Sequence, residues 1–232
     1  MNSLEFFTGG VPAGTIFRMQ LGELRKMVTN SGRSNPFVDP VPHVCLIALV
    51  AYFEAFCKDQ FASIINVCPQ LLKDFCSRRP DAVIGIKDLV TIDFNVQGKF
   101  GFILSEKYDF GSAKSVNGLF RDLVGLTPFS AEEAKQFSRI LNDRNLLVHH
   151  GGVITSKYHE QEFMSNPSGN RLFMDSLVVN KTDFRAAAKF FDSIARKIVR
   201  TSARAVKQYI KSSKLKLPKE TQKAVRFLNW YE

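Results

Sequence analysis

"SAEEAKQFSRILNDRNLLVHHGGV", residues 130–153, decides how the chain is built. Ser130 followed three places later by Glu133 forms a capping box, in which each side chain satisfies a backbone N–H that a helix start leaves open. Ala134, Phe137 and Leu141 recur at helical spacing, and Gly151-Gly152 supplies the stop. The segment predicts one long helix with a polar finish of Arg144, Asn145, His149 and His150.

The neighbouring segments read the same way. Phe17, Leu21, Leu24 and Val28 predict a helix over 15–29, broken by the Gly, Ser and Pro of "SGRSNPFVDPVP". A second helix opens at Asp39-Pro40, is apolar almost all round, ends near Asp59 and belongs at the centre of the core. Its exception is Glu54, a carboxylate that must find a partner or shift its pKa. A third helix runs through Phe61, Ile64, Ile65, Leu71, Leu72 and Phe75, with a break at Pro69. Val90, Ile92, Phe94 and Val96 then alternate, Gln97-Gly98 offers a turn, and Phe100 and Phe102 alternate again, which predicts a β-hairpin. Val116, Leu119, Phe120 and Leu123 form another helical stripe, capped by Gly125. After the glycine pair, a loop around "SNPSGN" leads to "LFMDSLVV", a short edge strand. The longest helix is expected from about 182 to 212, where Phe184, Ala187, Phe191, Ile194 and Ile198 step by three and four. The expected fold is mainly α: one helical-bundle domain over 1–232, with a small hairpin insertion at about 90–103 and a basic C-terminal helix and tail at about 182–232.

Composition narrows the function. At 232 residues and 45% hydrophobic, the chain can bury a proper core. The N-terminus lacks a signal-peptide pattern, and the apolar stretch from Val44 to Phe53 is half of the roughly 20 residues a membrane span needs. The expectation is a cytoplasmic protein with no membrane association. Cys45, Cys57, Cys68 and Cys76 form no C-x-x-C pair and read as reduced, buried structural thiols. No cluster of His and carboxylates has ligand spacing, so neither a metal nor a cofactor is expected.

The net charge of +10 is localised. Residues 181–232 hold 14 Lys/Arg against 4 Asp/Glu, whereas the preceding 180 hold 18 of each. Such asymmetry fits a polyanionic partner such as nucleic acid, and equally a lysine-rich helix face kept for solubility. On the first reading Arg196, Lys197, Arg200, Arg204 and Lys207 contact phosphates, and Tyr209, Phe227, Trp230 and Tyr231 stack on unpaired bases or pack the helix ends.

On a regular helix Asn145 and His149 share a face, while Arg144 and His149, five apart, diverge by roughly 140°. Unwinding before the glycine pair and the length of the Arg side chain would let both reach one cleft. Guanidinium binds phosphate oxygens in a fork, and imidazole moves protons near neutral pH. Together they suit metal-free RNA cleavage: imidazole assists attack by the ribose 2′-hydroxyl or protonates the leaving 5′-oxygen, and guanidinium stabilises the phosphorane. One histidine cannot do both tasks, so either His150 helps or a second subunit supplies another set. The plainer alternative is that positive side chains at a helix end complement the helix dipole.

"LNDRNLLVHHGGVIT" resembles the motif helix of the HEPN superfamily, with Arg144 and His149 in the defining places and Asn145 as the polar residue between them. "ALVAYFEAFCKD" is similar to an earlier helix of that superfamily, Glu54 matching an acidic position, and "SVNGLFRDLVGLTPF" to the helix and turn leading into the motif. The resemblance covers roughly 42–155 and points to the prokaryotic ribonuclease-like branches. It implies a helical bundle that homodimerises to bring two motifs into one cleft, a metal-independent endoribonuclease acting on RNA as a toxin or in phage defence, and an antitoxin partner. It further implies that Arg144 contacts phosphate, His149 does acid–base work, Asn145 positions them, and Glu54 orients Arg144 or lines the cleft. His150, the hairpin and the basic extension depart from the pattern. A second reading is a non-catalytic module that binds nucleotides or RNA, or assembles with protein partners through the seam at Phe184 to Ile198.

Overall fold

Five phenylalanine rings crowd around Phe53, at centroid distances of 4.5 Å (Phe191), 5.6 Å (Phe137), 5.8 Å (Phe17), 5.9 Å (Phe56) and 6.1 Å (Phe129). Each such aromatic pair adds about 0.5–1.5 kcal/mol beyond area burial, so the chain's helices are pinned where these rings meet. The computed structural model describes residues 2–32, 39–92, 94, 96, 98–165 and 174–231. Within them the chain is mainly helical, with no strand beyond one isolated bridge.

Helix α1 (Ala13–Asn30) buries Phe17, Leu21, Leu24 and Val28, the stripe its sequence spells. Helix α2 (Val41–Val67) is buried at every position from Gln60 to Val67, exposes Val44, Ala51 and Ala55 along one face of its first half, and packs against α1. Among the described residues α2 alone has the length and hydropathy to cross a membrane; here it is the central strut of the bundle. It does not stop near Asp59. Ser63 Oγ donates to the Asp59 carbonyl at 2.7 Å, and the buried Gln60 amide donates to Ser202 Oγ at 3.0 Å and to the Leu228 carbonyl at 3.3 Å. Gln60, which resembles a helix end, is thus satisfied by partners distant in the chain, and the real break falls at the 3₁₀ turn Pro69–Leu71 before α3 (Leu72–Arg78).

The expected hairpin at about 90–103 is corrected among the described residues. Val90 ends a short helix, α4 (Ile86–Val90), and the second arm is α5 (Phe100–Ser105); residues 93, 95 and 97 lie outside the described set. The reason is Gly101. Its N–H donates to Asn66 Oδ1 at 2.7 Å, and a Cβ there would stand 1.9 Å from the Ala62 carbonyl oxygen. Phe100 and Phe102 flank a glycine that lets one helix lie directly on another, a spacing that imitates strand alternation.

Helix α6 (Ala113–Val124) ends at left-handed Gly125 (φ 71°) and leads into α7 (Ala131–His150). The next helix, α8 (Ser156–Ser165), had no counterpart among the expected elements; the "SNPSGN" stretch beyond Ser165 lies outside the described residues. Of the expected edge strand "LFMDSLVV", the described part forms only the antiparallel bridge Val153–Ser176, supported by Leu177 N to Gly152 O at 2.8 Å and Ile154 N to Asp175 O at 2.8 Å. It leads into α9 (Lys181–Ser212), followed by α10 (Lys219–Phe227). Lys197 of α9 bonds Glu133 at the start of α7, while residues just before α9 pair with those just after α7. The two helices therefore run antiparallel.

Candidate functional site

The capping box forms: Glu133 N donates to Ser130 Oγ at 3.2 Å, and Ser130 N to Glu133 Oε2 at 2.8 Å. From there α7 stays helical through His150, and the expected unwinding before the glycines does not occur. Gly151 (φ 59°) and Gly152 (φ 86°) take up the reversal, with both N–H groups reaching the Leu146 carbonyl. Positive φ is cheap only for glycine, so the bend is concentrated after His150. Arg144 and His149 consequently keep their separation of roughly 140° around the axis.

That separation sends them to different neighbours. Arg144 Nη2 pairs with Glu54 Oε1 of α2 at 2.7 Å, the two side chains being 22% and 26% exposed. The Nε of Arg144 is buried and has no partner among the described residues. Glu54 also lies close beneath the turn into α6, where a Cβ at Gly111 would come within 3.5 Å of its Oε1. Burial, and then the Glu54 charge, push the Cys57 thiol well above its ordinary value, which keeps it an unreactive core group. Cys45 and Cys68 are buried as expected, but Cys76 is exposed.

His149 and His150 turn the other way, into a solvent-open cleft of about 180 Å³ that Asn145 also lines. Across it stand Thr155, Lys157 and Tyr158. Thr155 caps α8, its Oγ1 accepting from Tyr158 N at 3.2 Å, and the Tyr158 hydroxyl donates to Asp143 Oδ1, tying α8 to α7. The structure thus joins Asn145 to His149 and His150, joins Glu54 to Arg144, and leaves Arg144 outside the cleft. Thr155, Lys157 and Tyr158 escaped the reading of the sequence; the Thr-Ser cap of "TSKYHEQ" was the available signal.

The five cations expected on RNA divide. Arg196 Nε pairs with Asp192 Oδ1 at 3.2 Å and lies 4.7 Å over the buried Tyr231 ring, and Lys197 bonds Glu133. Burial would raise Glu133, but Lys197 and the Ser130 N–H hold its carboxyl below the ordinary value. These two cations are internal fastenings. Arg200, Arg204 and Lys207 are exposed, with no ion pair among the described residues. Of the aromatics, Tyr231 donates to Asp192, Phe227 packs between Phe7 and Trp230, Tyr209 bonds the Gln70 carbonyl, and only Trp230 stands half exposed. From Glu133 to His149 is about 24 Å along α7, so the free cations beyond Lys197 lie at the opposite end of the bundle from the histidines.

Among the described residues no group of three His, Cys, Asp or Glu side chains is placed to hold a metal ion. The chain matches no model of a known protein family, no characterised protein and no solved structure.

Proposed function

We propose that this chain is a metal-independent endoribonuclease of the HEPN type that works as a homodimer. The observation that carries the reading is the end of α7, where two imidazoles and an amide share an open cleft while Glu54 holds a mostly buried Arg144 on the same helix. Within one copy the guanidinium and the imidazole of His149 diverge, so a phosphodiester is gripped between the α7 helices of two copies. Val148, 46% exposed, lies between Arg144 and His149 around the helix and offers the apolar contact for that packing. His149 then takes the proton of the 2′-hydroxyl, the oxygen attacks phosphorus, and the 5′-oxygen leaves with a proton from His150 or the second copy. Arg144 stabilises the charge on the phosphorane.

The test uses purified protein, total RNA and chelator. The reading expects fragments with 2′,3′-cyclic phosphate ends, lost in His149→Ala and in Arg144→Ala while both remain folded dimers. Undiminished cleavage by either variant rejects it.

A second reading, a non-catalytic RNA- or nucleotide-binding module, draws on a specific observation: the Glu54 pair keeps Arg144 out of the histidine cleft. It expects RNA retention without fragments in the same assay.

A further inference from the structure

The histidine cleft contains a cation that the Arg/His scheme does not use. Lys157, in the first turn of α8, lines it opposite His149 and His150. The remaining polar lining is donor-rich: the amides of Asn142 and Asn145 and the hydroxyl of Thr155. No carboxylate lines the cavity among the described residues. Asp143, on the same helix, is engaged by the Tyr158 hydroxyl and stands outside the lining. Leu146 supplies an apolar floor.

We propose that Lys157, together with His150 and the Asn142 and Asn145 amides, forms a phosphate-binding subsite for a nucleotide, complete within one copy of the chain. Three kinds of observation converge on it. The first is charge: the Lys157 ammonium faces a space whose lining holds no carboxylate among the described residues, so the ligand that lowers the energy of the arrangement is an anion. The second is size. An open cleft of about 180 Å³ has room for a phosphate group beside Lys157 and the Asn amides. The third is rigidity: the Tyr158–Asp143 bond and the Thr155 cap fix the first turn of α8, and so the root of Lys157, against α7. Lysine serves phosphate as a compact point charge with three donors, which suits a pocket reached from several directions. Arg144 is spent on Glu54, so within a single copy the cation beside the histidines is Lys157. The proposal rests on the ribonuclease reading for its biological meaning, since the phosphate it holds there is one belonging to the RNA strand. The binding itself does not depend on cleavage.

The experiment is a titration of the full-length protein, in chelator, with adenosine 3′-monophosphate, inorganic phosphate and adenosine, followed by calorimetry and by the imidazole resonances of His149 and His150. The nucleotide and inorganic phosphate bind and shift those resonances; adenosine does not. A stronger response to the nucleotide than to inorganic phosphate assigns the subsite to a nucleotide, and equal responses overturn that part. Lys157→Met weakens binding about 10- to 100-fold, the loss of one charge-assisted hydrogen-bonding group, and Lys157→Arg restores part of it. Lys73→Met, which removes an exposed charge on α3, leaves the affinity unchanged. No binding by the wild type, or equal affinity in Lys157→Met, overturns the proposal. The two readings fail separately. Nucleotide binding that is undiminished in Lys157→Met, with RNA cleavage by the wild type, removes the subsite and leaves the nuclease; Lys157-dependent nucleotide binding without any cleavage removes the nuclease and leaves the subsite.

Discussion

The two ends of the α7–α9 pair both carry positive charge, but they organise it differently. At the far end of α9, Arg200, Arg204 and Lys207 are exposed along a convex helix, while Arg196 and Lys197 are already neutralised by Asp192 and Glu133. Beside the C-terminus of α7 there are fewer cations, yet Lys157 faces one open cleft together with two imidazoles and the Asn amides. The difference teaches that charge density and chemical capacity are separate properties. An exposed row of cations attracts a polyanion through its field, which salt screens. A cavity with converging donors can select one atom of that polyanion and act on it.

The largest expected effect separates the two ends outright. His149→Ala lowers the rate of RNA cleavage by about 10²- to 10⁴-fold, the usual contribution of a positioned acid–base group. The triple variant Arg200→Ala, Arg204→Ala, Lys207→Ala leaves the rate at saturating RNA within a few-fold of wild type. Single-turnover measurement of both variants checks this. A triple variant as inactive as His149→Ala would erase the distinction between the ends.

Salt dependence sharpens the same contrast. Three lost phosphate contacts on a single strand reduce the slope of log affinity against log salt by about 2, so the triple variant loses roughly 20-fold less affinity than wild type between 50 and 200 mM salt. His149→Ala leaves the slope as it was. Filter binding across a salt series reads both.

How much of either end was legible in the sequence depends on how local its causes are. Ser130 and Glu133 make their bonds within one helical turn, and Gly151 and Gly152 act on their own backbone, so the limits of α7 could be read directly. The i,i+4 pairing of Asp192 with Arg196 was equally available from spacing alone. Glu54 was identifiable as a carboxylate in need of a partner because its helix is apolar on every side. The remainder was not local. Gln60 passes for a helix end until Ser202 and the Leu228 carbonyl satisfy it, and Phe100 to Phe102 pass for a strand until Gly101 meets the backbone of Ala62. Lys197 loses its availability to Glu133, a residue 64 positions earlier. Lys157 enters the cleft only because α8 forms and Tyr158 fastens it to Asp143.

A smaller effect tests what holds Arg144 apart from the histidines. Glu54→Gln removes one charge of a pair that is mostly but not fully shielded from solvent, and it leaves a guanidinium whose Nε already lacks a partner among the described residues. The pair lies between the exposed and fully buried limits, so the expected loss is about 1–2 kcal/mol, or a few degrees in Tm. Thermal unfolding measures it. A variant as stable as wild type would mean that Glu54 does not anchor Arg144, and the divergence of Arg144 from His149 would then rest on the helix geometry alone.

The smallest effect concerns how the cationic end is kept in check. Asp192 receives bonds from the Tyr231 hydroxyl at 2.8 Å, Arg25 at 3.2 Å and Arg196 at 3.2 Å. Burial would raise its pKa, but these three donors outweigh burial and hold the carboxyl below its ordinary value. The folded chain therefore binds this proton less readily than the unfolded chain does. The stabilisation is fully present above the ordinary carboxylate pKa of about 3.9, and it is lost as pH falls through the lower folded value. Asp192→Asn removes that increment, about 1 kcal/mol at neutral pH, and flattens the fall in stability below about pH 4. It also frees Arg25 and Arg196 from their counter-charge, so the salt slope for RNA rises while nucleotide binding at the histidine cleft stays constant. Denaturant titrations at pH 3 and pH 7 beside the salt series read both consequences. If the acid sensitivity is unchanged, Asp192 is not the clamp; if the salt slope is unchanged, releasing Arg196 adds nothing to RNA binding, and the exposed cations beyond Lys197 define that end without it.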